Sequence, residues 1–169
     1  TINSYKRINA PVTASGATWA PNTITYSGNN RTHMIRVPGP GRFELRLMDG
    51  ATNPYLLQAG ILAAGIDGIE KKRNPGKPIN VNMYEEGHKV KGAKKLPLTL
   101  EKALSHLGKS TVMKDAFSKE TIDSYIKLKN KEIKKYQSSN TKKIGFKGSK
   151  QSNKKNIITQ WEKDNTLDC

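Results

Sequence analysis

Four arginines and one glutamate crowd a stretch of sequence whose pattern is that of extended chain. In the run RFELRLM, strand alternation puts Arg42, Glu44 and Arg46 on one face and Phe43, Leu45 and Leu47 on the other, which predicts a charged face and a core face. Arg31 lies in the turn before the run THMIRV, and Arg36 lies near that run's end. An antiparallel hairpin would therefore gather Arg31, Arg36, Arg42 and Arg46 around Glu44. Guanidinium groups so close repel one another unless multivalent anions neutralise them, as a triphosphate and a substrate carboxylate would. Glu44 has two readings here. It either neutralises its neighbours, as in an ordinary solvent-facing strand with an ion pair, or serves as a hard oxygen ligand to a divalent cation bridging phosphates. Asp49, Asp67 and Glu70 stand in unsuitable contexts for completing such a site, so further ligands are expected from outside this chain.

The elements that must position these residues follow from turn chemistry and periodicity. Three short runs, TITYS, THMIRV and RFELRLM, are separated by GNNR and PGPG, both turn compositions, which predicts three strands. Asn53-Pro54 then offers an N-cap followed by a proline at the first helical position, where its missing N–H costs nothing. The apolar text from Tyr55 predicts a buried helix running to about Glu70. KKRNPGKPIN reads as a Gly/Pro loop, and MYEEGHKVKGAKKLP has no steady period. Thr99 caps a short helix through LEKALSHL, a second helix is expected near TVMKDAF, and a third spans about Lys119 to Tyr136 with Ile122, Tyr125, Ile126 and Ile133 near helical spacing. The fold class expected is α+β, antiparallel strands followed by C-terminal helices. Residues 1–136 form its main body, starting with a strand or loop at TINSYKR and continuing as a long loop to residue 22. Residues 137–155, rich in Ser, Asn, Gly and Lys with no acidic residue, read as a flexible insertion, and 156–169 regain apolar character and dock back through Trp161, Ile157 and Ile158.

Composition sets limits on the function. At 169 residues and 34% hydrophobic content, the chain can bury a sizeable core. No apolar run approaches the roughly 20 residues that span a bilayer, and no basic segment followed by an apolar one opens the chain, so a cytoplasmic protein is expected. The chain starts at Thr1 rather than at methionine, which suggests a longer parent. The lone cysteine, Cys169, is the final residue, which sets cysteine chemistry aside. The formal charge of +16 alone would suggest a nucleic-acid partner. Its distribution argues against one: every arginine lies at or before Arg73, and lysine alone carries the positive charge beyond it. Arginine's planar fork holds phosphates and carboxylates in fixed geometry, whereas lysine on a surface often does no more than keep it solvated.

With these residues in place, the strings NSYKR, NNRTHMIRVPGPGRFELRLMDGATNPYL, AGIDGI, KLPLTLEKAL and TQWEKDNTLDC together resemble the C-terminal part of the catalytic domain of glutamine synthetases, in particular the type III-like or gamma-glutamylmethylamide synthetase branch. The resemblance implies ATP-dependent ligation of ammonia to the γ-carboxylate of L-glutamate through γ-glutamyl phosphate, giving glutamine; methylamine is the alternative amine. It implies that Arg7 and Arg46 hold the glutamate carboxylate, that Arg31, Arg36 and Arg42 contact ATP, and that Glu44 ligates one catalytic Mg2+ or Mn2+. Homo-oligomeric rings with active sites between subunits are implied as well, and this portion by itself is expected to be inactive. An inactive remnant and a basic nucleic-acid-binding protein are the rival readings.

The sequence also departs from the family pattern. Many members carry a glutamate just after the KR pair, where it helps bind and deprotonate ammonium, but INAPVTASGATWAP contains no acidic residue. The PGPG connection is short and lacks a nucleotide-contacting lysine. Tyr84 falls where some bacterial enzymes have an adenylylated tyrosine, but NMYEEGHK keeps little of that motif. His33 is expected to pack or hydrogen-bond rather than catalyse, His88 and His106 to lie at the surface, and Trp19 to anchor its loop.

Overall fold

The computed structural model describes residues 2, 4, 5, 20–141, 161, 164 and 165. Arg7, Trp19 and most of the expected insertion lie outside them. The three expected strands form one sheet in the order β1 (Tyr26–Ser27), β2 (Ile35–Gly39), β3 (Arg42–Leu45). Strand β1 pairs parallel with β2, and β2 pairs antiparallel with β3. The β2–β3 turn holds Gly41 at φ 73, a left-handed conformation that glycine adopts without steric cost. In the ladder Arg36 faces Glu44 and Gly39 faces Arg42, so Val37 and Pro38 stand against Phe43 alone. Pro38 has no N–H to give, and a bulge is where a strand tolerates that.

Four helices follow: α1 (Pro54–Glu70), α2 (Leu100–Lys109), α3 (Thr111–Phe117) and α4 (Lys119–Thr141). Each of the first three starts on a side-chain cap. Asn53 Oδ1 accepts from the Leu56 N–H at 3.0 Å, Thr99 Oγ1 from Lys102 at 3.3 Å and Ser110 Oγ from Met113 at 3.2 Å. Helix α4 continues past Tyr136, where the sequence composition had placed the start of an insertion. The hydroxyls of Ser138 and Ser139 donate to the Lys135 and Tyr136 carbonyls inside the helix, both at 2.9 Å, and the Tyr136 ring meets Trp161 edge to face at 5.4 Å.

The hydrophobic core lies between α2 and α4, where Leu100, Leu104 and Ile133 are buried and Tyr125 and Ile126 pack around them. Ile2 and Tyr5 join this cluster from a helical start of the chain, not from the strand or loop expected there: at a spacing of three they share one helix face.

Two further expectations are overturned. Helix α1 contains no buried residue, although its cap and its end at Glu70 are where the sequence puts them. It packs on α3, but Tyr55, Leu62 and Ile69 remain 81%, 64% and 79% exposed. On β3 the supposed core face is open, with Phe43 62% exposed. The physical reason is the same in both cases: alternation and apolar content say which surface is apolar, not whether these residues supply the layer that covers it. Among the described residues, no helix is long and apolar enough to cross a membrane.

Candidate active site on the arginine hairpin

The loop from Gly28 to Thr32 delivers the arginines to the sheet. Asn30 Oδ1 accepts from both the N–H and the hydroxyl of Thr32, at 3.0 and 2.7 Å, closing a tight turn around Arg31. The Asn30 side chain also donates to the Val81 carbonyl at 3.0 Å, and Thr32 Oγ1 accepts from the Met83 N–H at 3.0 Å. Ile79 N–H donates to the Tyr26 carbonyl at 3.0 Å, and the Tyr26 hydroxyl to the Gly76 carbonyl at 2.7 Å. The Gly/Pro loop of the sequence reading is thus strapped against β1 and the arginine-bearing turn. A second tie, the Thr23–Lys95 bridge, holds the segment that showed no period.

His33 is fully buried in this arrangement. Its Nε2 lies 3.0 Å from the Val81 carbonyl oxygen and its Nδ1 3.0 Å from Thr25 Oγ1. A carbonyl can only accept, so Nε2 carries the proton, and in the neutral ring Nδ1 accepts from the Thr25 hydroxyl. Burial pushes its pKa below the ordinary value, opposed by the bond to Val81. The histidine is a packing and hydrogen-bonding residue, as the sequence suggests. His88 and His106 are exposed.

On the hairpin, Arg36 Nη1 donates to Glu44 Oε1 at 2.7 Å across β2–β3. The hydrogen bond from Arg36 is the main reason the Glu44 carboxyl is held below its usual range; the charges of Arg36, Arg42 and Arg31 add to it, against a smaller opposing effect of desolvation. Arg31 and Arg42 are exposed beside this pair. Arg46 lies just beyond β3, its N–H donating to the Met34 carbonyl at 2.9 Å and its Nη1 to the Arg31 carbonyl. Burial lowers the Arg46 pKa from its ordinary value, and Tyr84 and Glu44 oppose that shift.

The structure therefore brings Arg31, Arg36, Arg42, Glu44 and Arg46 together, as the hairpin argument predicts. Asn29 is a member that the sequence reading missed. It accepts from Arg36 Nε at 2.8 Å and from Nη2, yet in the sequence it is only one of several turn residues. No group of three or more His, Cys, Asp or Glu side chains that could hold a metal occurs among the described residues. Glu44 fits a divalent cation as a single hard oxygen donor, with its other ligands supplied from elsewhere.

A cationic hairpin around one carboxylate, fixed by its own arginine, is carried by an α+β fold. The chain belongs to the glutamine synthetase catalytic-domain family, which residues 1–145 match. It is 53% identical over 168 residues to a glutamine synthetase of Rhizobium leguminosarum bv. phaseoli, an alignment covering 99% of this chain and 34% of that protein. It is 45% identical over 139 residues to a glutamate–methylamine ligase of Methyloversatilis universalis, covering 80% of this chain and 31% of that one. A solved structure described as a GmaS/ADP complex matches with a TM-score of 0.75 at 48% identity, over 100% of this chain and 35% of the other. The chain spans about a third of the length of these relatives.

Proposed function

We propose that this chain is part of an ATP-dependent ligase that joins ammonia to the γ-carboxylate of L-glutamate and yields glutamine. The observation that carries this reading is the Arg36–Glu44 pair with Arg31, Arg42 and Arg46 around it. In the reaction, the γ-carboxylate of glutamate attacks the γ-phosphate of ATP, giving γ-glutamyl phosphate and ADP. Ammonia then displaces phosphate, with loss of a proton. Charge accumulates on the phosphoryl oxygens during the first step, and arginines held in place before the reaction stabilise it without reorganising. In this scheme Arg31, Arg36 and Arg42 supply the cationic surface toward ATP, and Arg7 and Arg46 hold the glutamate carboxylate. Glu44 contributes one ligand to Mg2+ or Mn2+, which when bound supplies Lewis-acid stabilisation of phosphate oxygens. INAPVTASGATWAP holds no acidic residue to bind and deprotonate the amine, so in this scheme that task falls to groups other than this loop's side chains. Rings with active sites between subunits, in the cytoplasm, complete the reading.

Methylamine is the second reading, favoured by the 45% identity to a glutamate–methylamine ligase and by the 48% identity to the GmaS structure. One experiment tests both. ATP- and Mg-dependent phosphate release is measured with glutamate in the full-length protein, with ammonia or methylamine, beside an Arg46→Lys variant. Glutamate-dependent turnover is expected, with the KM for glutamate raised about tenfold or more when the planar fork is lost. Absence of turnover with either amine would sink the ligase reading and favour an inactive remnant. Tight binding to nucleic acid that weakens steeply with salt would favour the basic nucleic-acid-binding reading.

A further inference from the structure

The peptide between Arg31 and Thr32 is gripped at both ends. Its N–H, that of Thr32, donates to Asn30 Oδ1 at 3.0 Å, and its carbonyl, that of Arg31, accepts from Arg46 Nη1. The peptide is trans, so its N–H and C=O lie in one plane and point opposite ways, and fixing one end aims the other. The Asn30 side chain is itself fixed. Its Oδ1 also accepts from the Thr32 hydroxyl at 2.7 Å, and its Nδ2 donates to the Val81 carbonyl at 3.0 Å. The loop closes behind it, because the Gly28 carbonyl accepts from the N–H of Asn30 at 2.7 Å and from that of Val37 at 3.1 Å.

We infer that Asn30 is a positioning residue for both substrates: its amide sets the Arg31 peptide, and with it the direction of the Arg31 side chain and the seat of the Arg46 guanidinium. This rests on the ligase reading, in which Arg31 faces ATP and Arg46 the glutamate carboxylate. The backbone of Arg46 is held by its own N–H, which donates to the Met34 carbonyl at 2.9 Å. What remains to be fixed is a long side chain that is costly in rotamer entropy to order, and the Arg31 carbonyl fixes it. A carbonyl orients a guanidinium without cancelling its charge, so the fork still attracts an anion. Arg31 is exposed, and its placement comes from the turn that carries it. The two arginines are thus tied through one peptide, and whatever displaces the turn displaces both. A turn that only closed the loop would need the Thr32 N–H alone; the Arg46 bond on the far side of the same peptide ties it to the site.

The test measures KM for ATP and KM for glutamate in the full-length protein, each with the other substrates saturating. Asn30→Ala is expected to raise both by about tenfold, within the roughly 100-fold that misplacing a group by about 1 Å can cost. Tyr26→Phe is the control. It removes the hydroxyl's bond to the Gly76 carbonyl, another tie between this sheet and the loop after α1, without touching the turn, and it should leave both KM values unchanged. A double-mutant cycle then separates positioning from a general loosening of the fold. In an Arg46→Lys background, where the fork seated on the Arg31 carbonyl is gone, Asn30→Ala should raise the KM for glutamate no further while still raising the KM for ATP. Should circular dichroism show Asn30→Ala misfolded, Asn30→Ser carries the test in milder form, because a hydroxyl can still accept from the N–H two residues on. The inference is overturned, and the ligase reading stands, if Asn30→Ala lowers kcat alone, raises only one KM, is matched by Tyr26→Phe, or multiplies fully with Arg46→Lys. If the parent shows no glutamate-dependent turnover, both fall.

Discussion

The Nε2 atom of His33 lies 3.0 Å from the carbonyl oxygen of Val81, a residue 48 positions further along the chain. That contact joins the strand segment carrying Arg36 to the loop that follows α1. It is one of several, since the Asn30 amide donates to the same carbonyl and the Ser27 hydroxyl donates to Asn80 Oδ1 at 2.9 Å. The arginine hairpin is therefore held from behind by a segment with no regular structure.

Removing the imidazole should be costly. His33→Ala leaves a cavity and strips the buried Thr25 hydroxyl of its partner, while the Val81 carbonyl keeps only Asn30. A loss of about 2–4 kcal/mol is expected in urea unfolding. A change no larger than that of a surface substitution would show that the strap is not held by this residue.

Stability should also fall with pH in a window set by His33. Its folded pKa is depressed below 6.5 because burial disfavours the charged ring. Above pH 6.5 the ring is neutral in both states, and its contribution is fully present. As pH drops below that value the unfolded chain binds a proton first, so stability declines until the folded pKa is passed. Glu44 and Asp67 are also depressed, but from ordinary values of 4.5 and 3.8, so their losses come at lower pH. The difference between parent and His33→Gln in melting temperature should shrink steadily between about pH 7 and pH 5. A constant difference would mean that the ring is not excluded from protonation.

Gly41 offers a backbone test. Its φ of 73 is strained for any residue with a Cβ, yet a Cβ built there meets nothing within 4 Å. Gly41→Ala should therefore cost about 1–2 kcal/mol from conformation alone, and Gly41→Asn should recover part of it, because asparagine tolerates this region better. Thermal melts of the two variants check the order. Equal losses would point to a steric cause that the open space around the turn does not contain.

How much of this was legible in sequence depends on whether the signal is local. Asn53 and Thr99 sit next to the helix ends they cap, and Gly41 lies within the turn it shapes, so short-range chemistry was enough. The gathering of Arg36 and Glu44 on one hairpin was readable from the two runs and their short turn, but their direct pairing depends on the extra residue at Val37 and Pro38, which the turn alone does not fix. Asn29 and Val81 were not readable as partners. Their contacts depend on where a loop folds in space, and no period or composition encodes that. Phe43 shows the opposite failure. Its apolar character was read correctly, but burial needs a second surface, and a pattern along one strand says nothing about it.

The exposed face of α1 leads to the last prediction. A helix apolar all round is normally interior, yet Leu62, Ile66 and Ile69 are 64%, 53% and 79% exposed here. A patch of this kind on a small protein drives association unless something covers it. The 169-residue chain should therefore bind an anilinonaphthalene dye and self-associate in sedimentation. Leu62→Lys combined with Ile69→Lys should reduce both while helicity is kept, because neither side chain is buried. The relatives are about three times as long as this chain, and a protein of their length has the chain to cover that face. There the same pair of lysines must be desolvated, and soluble yield should drop sharply. If the short chain associates as before, the sticky surface is elsewhere, and Phe43 on β3 is the next residue to replace. If the longer protein tolerates both lysines, α1 is a surface helix there too, and its apolar text has no interior to explain it.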